Sequence, residues 1–164
     1  MKNISNEELK NLLIQHHQYL FALENKPDPV SVCDFNFKNR KLRGSALVMA
    51  TFINCDFTGA DFTCSNLVGA ILSKSNFTNA ILNQSILIES VLKDCCFVNA
   101  DLCEVDFLMS SLENANFKNA NLTDCNFTKC NLSGADFRYA NLNNAIFTGA
   151  NIEGAIGLPK GSNS

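Results

Sequence analysis

Between Phe37 and Ile152 a leucine, a phenylalanine or, once, an isoleucine stands at every fifth residue, through 24 consecutive positions. A second series runs two residues ahead of the first. From Ser45 to Ala155 it holds alanine twelve times, serine six, cysteine four and valine once, at Val105. A period of five fits neither the 3.6 of a helix nor the 2 of a strand, so the pattern predicts a repeat and not a conventional amphipathic element. Self-similarity at a fixed short period marks a solenoid, whose units bury their apolar sides only by stacking on one another. One large and one small apolar site per unit predict a coil whose flat sides each turn two side chains inward and leave three outside.

Units such as Ala60-Asp61-Phe62-Thr63-Cys64, Ala120-Asn121-Leu122-Thr123-Asp124 and Ala135-Asp136-Phe137-Arg138-Tyr139 resemble those of the pentapeptide repeat family, over about three quarters of the chain. The resemblance implies an all-β fold, a right-handed quadrilateral β-helix of about six coils with four pentapeptides in each. Twenty-residue stacking has its own support in the sequence. Phe37, Phe57, Phe77, Phe97, Phe117 and Phe137 fall on one side without exception, whereas the next side reads Leu42, Phe62, Leu82, Leu102, Leu122 and Leu142. An all-phenylalanine row allows offset ring stacking at the inter-strand spacing of roughly 4.8 Å.

Ahead of the repeats, Ser5-Asn6-Glu7-Glu8 fits the capping box that opens a helix. Leu9, Leu12, Leu13, His16, Leu20 and Leu23 keep helical spacing and predict an amphipathic helix from Asn6 to Leu23, closed by Pro27 and Pro29. An open solenoid end exposes unpaired strand groups and a slice of core, so this helix is expected to cap the first coil. Phe35 and Arg40 stand where small residues belong, which fits an irregular first coil beneath such a cap. The predicted organisation is a helix and proline-containing linker over 1–30, a β-helix over 31–156, and a short disordered tail over 157–164.

Composition changes this picture little. A chain of 164 residues with 46% apolar and 18% charged residues fits one domain. It has no run of 18 apolar residues and no signal-peptide pattern, which predicts a cytoplasmic protein, bacterial by its resemblance. Cys55, Cys95, Cys125 and Cys130 occupy the small inward site as compact apolar fillers. Cys33, Cys64, Cys96 and Cys103 are expected outside or near the first coil, and no pair has C-x-x-C spacing, so free thiols are predicted and no metal site or cofactor. His16 and His17 point different ways on a helix, with no ligand partner at metal spacing. No histidine lies inside the solenoid to activate a nucleophile, and the glycines sit at corners instead of forming a phosphate loop, so no catalytic residue is predicted.

The outer surface carries what remains. The position before each centre is usually Asn or Asp, yet Ile71, Ile81, Ile86 and Val91 depart from this. On the side bearing Leu47, Leu67, Leu87 and Phe107, an apolar stripe of Val48, Met49, Val68, Ile86, Ile88, Leu108 and Met109 is predicted to contact an unidentified protein partner or a second copy. The expected function is therefore a non-enzymatic interaction or structural module. Charge supplies the alternative. Some members of the family resembled mimic DNA and protect DNA gyrase, and between Ser45 and Ala155 this chain has 11 acidic and 5 basic residues, with Glu89, Asp94, Asp101, Glu104, Asp106 and Glu113 close in sequence. The magnitude falls short, since the repeats span about 27 Å, over which duplex DNA carries roughly 16 charges. The register is also unbroken by the loop those members carry. Direct nucleic-acid binding is not expected of an acidic solenoid without a basic face, and membrane contact is not expected either.

Overall fold

The computed structural model describes residues 1–24 and 27–159. Parallel bridges join residues twenty apart in an unbroken series, from Asn36↔Asp56 through Asn76↔Cys96 to Asp136↔Ile156, with further bridges such as Lys41↔Asp61, Ala46↔Asn66 and Thr51↔Ile71 completing each lap at four. Each side of the coil is thus one bridge wide, and four sides close a lap of twenty residues. The sides are numbered here from their centres: Phe37 begins the first, Leu42 the second, Leu47 the third and Phe52 the fourth.

One pentapeptide accounts for all its backbone donors. The Phe57 and Gly59 amides donate to Asn76 and Thr78 in the next lap, Asp61 donates back to Arg40, and Ala60 closes a turn onto the Phe57 carbonyl at 2.9 Å. The fifth donor, the Thr58 amide, finds the Asp56 carboxylate at 3.0 Å. Thirteen units, this one included, make this last bond from an Asn or Asp placed just before the centre. That bond is the physical reason for the polar residue at this site, since a backbone amide left without an acceptor is costly. The residue two after the centre holds a positive φ of 54° to 71° from Asp34 to Gly154, as the third position of a type II turn requires. Asparagine and glycine dominate there because both tolerate that region.

Inside, every centre from Phe37 to Phe137 is buried, and the first-side rings stack lap on lap at 5.0 Å with interplanar angles of 5° to 16°. Phe107, Phe127 and Phe147 form a second ladder on the third side at 5.1 Å. The two ladders meet edge to face, as at Phe117 and Phe127, 5.8 Å apart at 75°. Alternating stacked and T-shaped contacts suit the ring quadrupole and lock each lap against its neighbours.

At the N-terminus β1 (Lys2–Asn3) pairs in parallel with β3 (Phe35–Asn36), α1 covers Asn6–Phe21, and β2 (Ser31–Cys33) pairs in parallel with β4 (Thr51–Ile53). Ser5 and Glu8 close the capping box with bonds of 3.1 and 2.7 Å, and the amide of Ser5 holds the Glu8 carboxyl below its usual range. Leu9 and His16 are buried, with Leu12 and Leu13 packed beside them against the core. One detail differs from expectation. The helix stops at Phe21, because Ala22 is already extended, and Leu23 is fully exposed instead of joining the apolar face. Arg40, standing where a small residue belongs, donates its guanidinium to the Ile4 carbonyl and the Asn6 side chain and ties the N-terminal segment to the first lap. At the other end Ile156 still bridges and Leu158 packs on the core, while Gly161 to Ser164 lie outside the described residues.

Candidate interaction surface

The third side is where the outer surface departs most from the repeat. Val48, Val68, Ile88 and Leu108 each follow a third-side centre on four successive laps, and all four are half-buried. The carbonyls of Val68, Ile88 and Leu108 accept the amides of Met49, Gly69 and Glu89 at 2.8, 2.9 and 2.9 Å, which holds the row in register. On the other three sides the same row mixes Lys, Arg, Thr, Ser, Asn and Glu among its residues, and no two successive laps are apolar there. Met49, Ile86 and Met109 widen the strip with exposures of 50%, 39% and 46%. The structure therefore brings together all seven residues that the sequence placed in one stripe.

Two local costs are taken on this side. Met49 and Met109 adopt φ of 63° and 60°, where a side chain without a polar end costs roughly 1 kcal/mol against glycine. Met49 is accommodated because the next lap has Gly69 beneath it, where a Cβ would stand 2.5 Å from the methionine sulfur. Ile86 replaces the Asn or Asp that would cap the amide two residues on, so the Ile88 amide has no acceptor among the described residues. Ile71 and Val91, bridged to each other on the fourth side, and Ile81 on the second side are also exposed, but as a pair and a single residue.

The six acidic residues that are close in sequence do not form one surface. Asp101 and Glu104 lie on the second side, Glu89 and Asp106 on the third, and Asp94 and Glu113 on the fourth, so they are spread over three of the four sides. Asp124, which sequence proximity did not single out, stacks one lap beyond Glu104. Burial first, then the charges of Glu104, Asp101 and Asp124, push the Cys103 thiol above its usual range. Asp101 accepts the Asn83 and Asn121 side-chain amides at 2.7 and 2.9 Å, and Gln84 donates to Glu104 at 3.1 Å. On the first side Arg138 and Lys118 flank Asp136 at 2.7 and 3.4 Å, and the Arg138 hydrogen bond brings that carboxyl down to about 2.

The remaining candidate chemistry lies in the cysteines and histidines. Cys55, Cys95, Cys125 and Cys130 are buried, Cys33 and Cys64 exposed, and Cys96 and Cys103 intermediate; all eight are free thiols. Burial pushes Cys95, Cys125 and Cys130 up to about 12 and Cys55 to about 11. These four are protonated fillers at neutral pH. Among the described residues no group of three His, Cys, Asp or Glu side chains is placed to hold a metal ion. His16 is buried and His17 exposed. Among the described residues no helix is long and apolar enough to cross a membrane.

Solved structures share this architecture. One form of QnrB1, a plasmid-mediated fluoroquinolone resistance protein, is 23% identical, with a TM-score of 0.52 over 77% of this chain and 72% of that one. Full-length QnrB1 is 17% identical, with a TM-score of 0.51 over 76% of this chain and 83% of that one. A pentapeptide repeat protein from the Arabidopsis thaliana thylakoid lumen is 27% identical over 72% of this chain and 65% of that one, with a TM-score of 0.37. No curated protein matches the chain. The profile of pentapeptide repeats matches in 8 copies across residues 36–73, 70–107 and 115–154. With its twenty-residue laps and buried Leu/Phe centres, the chain belongs to the pentapeptide repeat family and folds as a right-handed β-helical solenoid.

Proposed function

We propose that this protein is a non-enzymatic interaction module, a rod of about six laps closed at its N-terminal end by α1, whose third side receives a protein partner. The observation that carries this reading is the row Val48, Val68, Ile88 and Leu108, apolar on four successive laps. Single exposed apolar residues are ordinary, whereas a contiguous strip on successive laps calls for a covering surface. A second reading rests on the fold shared with QnrB1, a fluoroquinolone resistance protein, and on the acidic residues of laps three to five. In that reading the rod contacts gyrase. It is the weaker one, because the likeness is of fold and the acidic residues face three directions.

One pair of variants separates the two. Ile86→Asp combined with Ile88→Asp is expected to release bound protein in a pull-down, or to halve the solution mass where the partner is a second copy. Unchanged mass and unchanged capture would sink the third-side interface. Protection of purified gyrase from a fluoroquinolone in a supercoiling assay, unaffected by this pair, would support the second reading instead.

A further inference from the structure

We propose that the occupant of the third side is a basic amphipathic helix of another protein, an assignment that rests on reading this side as an interface. The size of the strip argues for it. Four laps at about 4.8 Å put Val48 and Leu108 roughly 14 Å apart, and the two steps from Ile86 to Ile88 make the strip about 7 Å wide. Its area of a few hundred Å² at most is well below the roughly 800 Å² per partner that a stable dimer of globular chains buries. A second copy therefore lacks the surface it needs here. A single helix does not.

The spacing agrees. An α-helix laid along the solenoid axis presents one apolar ridge per turn of about 5.4 Å, close to the roughly 4.8 Å between laps. Three turns with apolar residues at i, i+3 or i+4, and i+7 set one side chain over each step of the row, in the manner of a helix held in an apolar groove. Met49 and Met109, at the two ends, have flexible thioether side chains that adapt to the residues above them.

Charge then selects the kind of helix. Glu104 and Asp124 occupy the corner between the second and third sides, Asp106 stands one lap from Ile86 in the same row, and Glu89 follows Ile88 on the opposite rim. The second-side edge of the strip thus carries Glu104 and Asp106 in lap four and Asp124 one lap on, while the opposite rim carries the single carboxylate of Glu89 in lap three. The basic residues near it are Lys129, one lap beyond Met109, Arg43 in the first lap on the second side, and Lys93 on the fourth side in the lap of Ile88. A partner helix carrying Lys or Arg beside its apolar ridge meets these rims favourably, and an acidic one is repelled.

The test uses the full chain and three fluorescein-labelled peptides of 18 residues, a length on the order of five turns. One has leucines at i, i+3, i+4 and i+7 and lysines elsewhere, one is its scrambled form, and one has glutamate in place of lysine. Fluorescence anisotropy at low and high salt is expected to show binding of the leucine–lysine peptide, about tenfold weaker binding of the scrambled form, and none of the glutamate form. Ile86→Asn is the decisive variant. It installs the residue type found at Asn66 and Asn126 in the same row and supplies the missing cap for the Ile88 amide, so the chain is expected to melt within about 4 °C of the parent. Its affinity should nevertheless fall about tenfold. Glu104→Gln with Asp106→Asn should lower affinity at low salt and flatten the salt dependence. Equal binding of the scrambled peptide, or full affinity of Ile86→Asn, overturns the proposal. If the lysine peptide fails to bind while Ile86→Asp with Ile88→Asp still changes mass or capture, the helix assignment falls and the interface stands. If neither responds, both fall.

Discussion

Serine and cysteine at the inward small sites differ from alanine by a single donor, and at several of these sites that donor reaches the same carbonyl of the preceding lap. Ser75, Cys95, Cys125 and Cys130 donate to the carbonyls of Phe52, Leu72, Leu102 and Phe107, each 23 residues earlier, at 2.9 to 3.1 Å. Ser110 donates likewise to Leu87 and also accepts the Ser90 amide at 3.0 Å. Ser65 and Ser85, stacked on the inner face of the third side, are 1% exposed and their hydroxyls have no partner among the described residues. A buried hydroxyl without a partner costs about 1–3 kcal/mol, while a made bond contributes about 1. Ser65→Ala and Ser85→Ala are therefore expected to be neutral or up to about 1 kcal/mol more stable in urea unfolding, and Ser110→Ala to lose about 1–2 kcal/mol. Equal losses at all three sites would mean that the hydroxyls of Ser65 and Ser85 are satisfied in solution.

At the scale of the element, what could be read from the sequence depended on whether a signal was local. Helix α1 was legible because its capping box and 3.6-residue spacing lie within the segment itself. Strand β1 was not, since two residues carry no period and Lys2–Asn3 is a strand only because Phe35–Asn36 lies 33 residues away to pair with it. The third-side strip was legible because the register assigns each outward residue to a side. The acidic residues that are close in sequence do not share a face, because nearness in sequence turns corners here: Glu89 and Asp94 fall on successive sides, whereas Glu104 and Asp124 share one. How α1 is held also escaped the sequence. His16 is fully buried, its Nδ1 accepts the Val30 amide at 3.1 Å, its ring lies 5.5 Å from that of Tyr19, and its Nε2 has no hydrogen-bond partner among the described residues. Burial lowers its affinity for protons, an effect only partly opposed by the backbone of Val48, and no charged side chain contributes. Below the unfolded histidine value of about 6.5 the unfolded chain binds the extra proton and the folded chain resists it, so stability present above that pH is lost as pH falls. The lowered carboxyls of Asp56, Asp61 and Asp136 act in a separate window, losing their contribution only below about pH 4. The melting temperature is expected to fall between pH 7 and 5, with earlier hydrogen exchange at Val30. His16→Gln keeps an acceptor without a titrating ring and should flatten that slope; a slope that persists in this variant would place its origin elsewhere.

For the whole molecule, stability is shared lap by lap, and a centre counts according to how many neighbours it serves. Phe97 stacks on Phe77 and Phe117 at 5.0 Å, while Phe147 has one stacking neighbour, Phe127, and is half-buried in the last laps. In a quasi-linear fold the loss at Phe97 weakens two interfaces at once, and the lap above and the lap below lose their shared contact. Phe97→Ala is expected to cost about 3–5 kcal/mol, the usual range for an emptied aromatic site in a packed core. Phe147→Ala should cost less than about 2 kcal/mol, because part of its ring already meets solvent and little cavity forms. Urea unfolding checks both, and the slope carries a second signal. If laps on either side of Phe97 uncouple, the transition broadens and its apparent m-value drops, whereas Phe147→Ala leaves it unchanged. The lap of Phe97 adjoins the one carrying Ile88, so an uncoupled rod would also lose the alignment of the third-side row. Weaker helix binding by Phe97→Ala than by Phe147→Ala, at temperatures where both are folded, is the expected consequence; identical costs and identical binding would show that the laps do not transmit order along the axis.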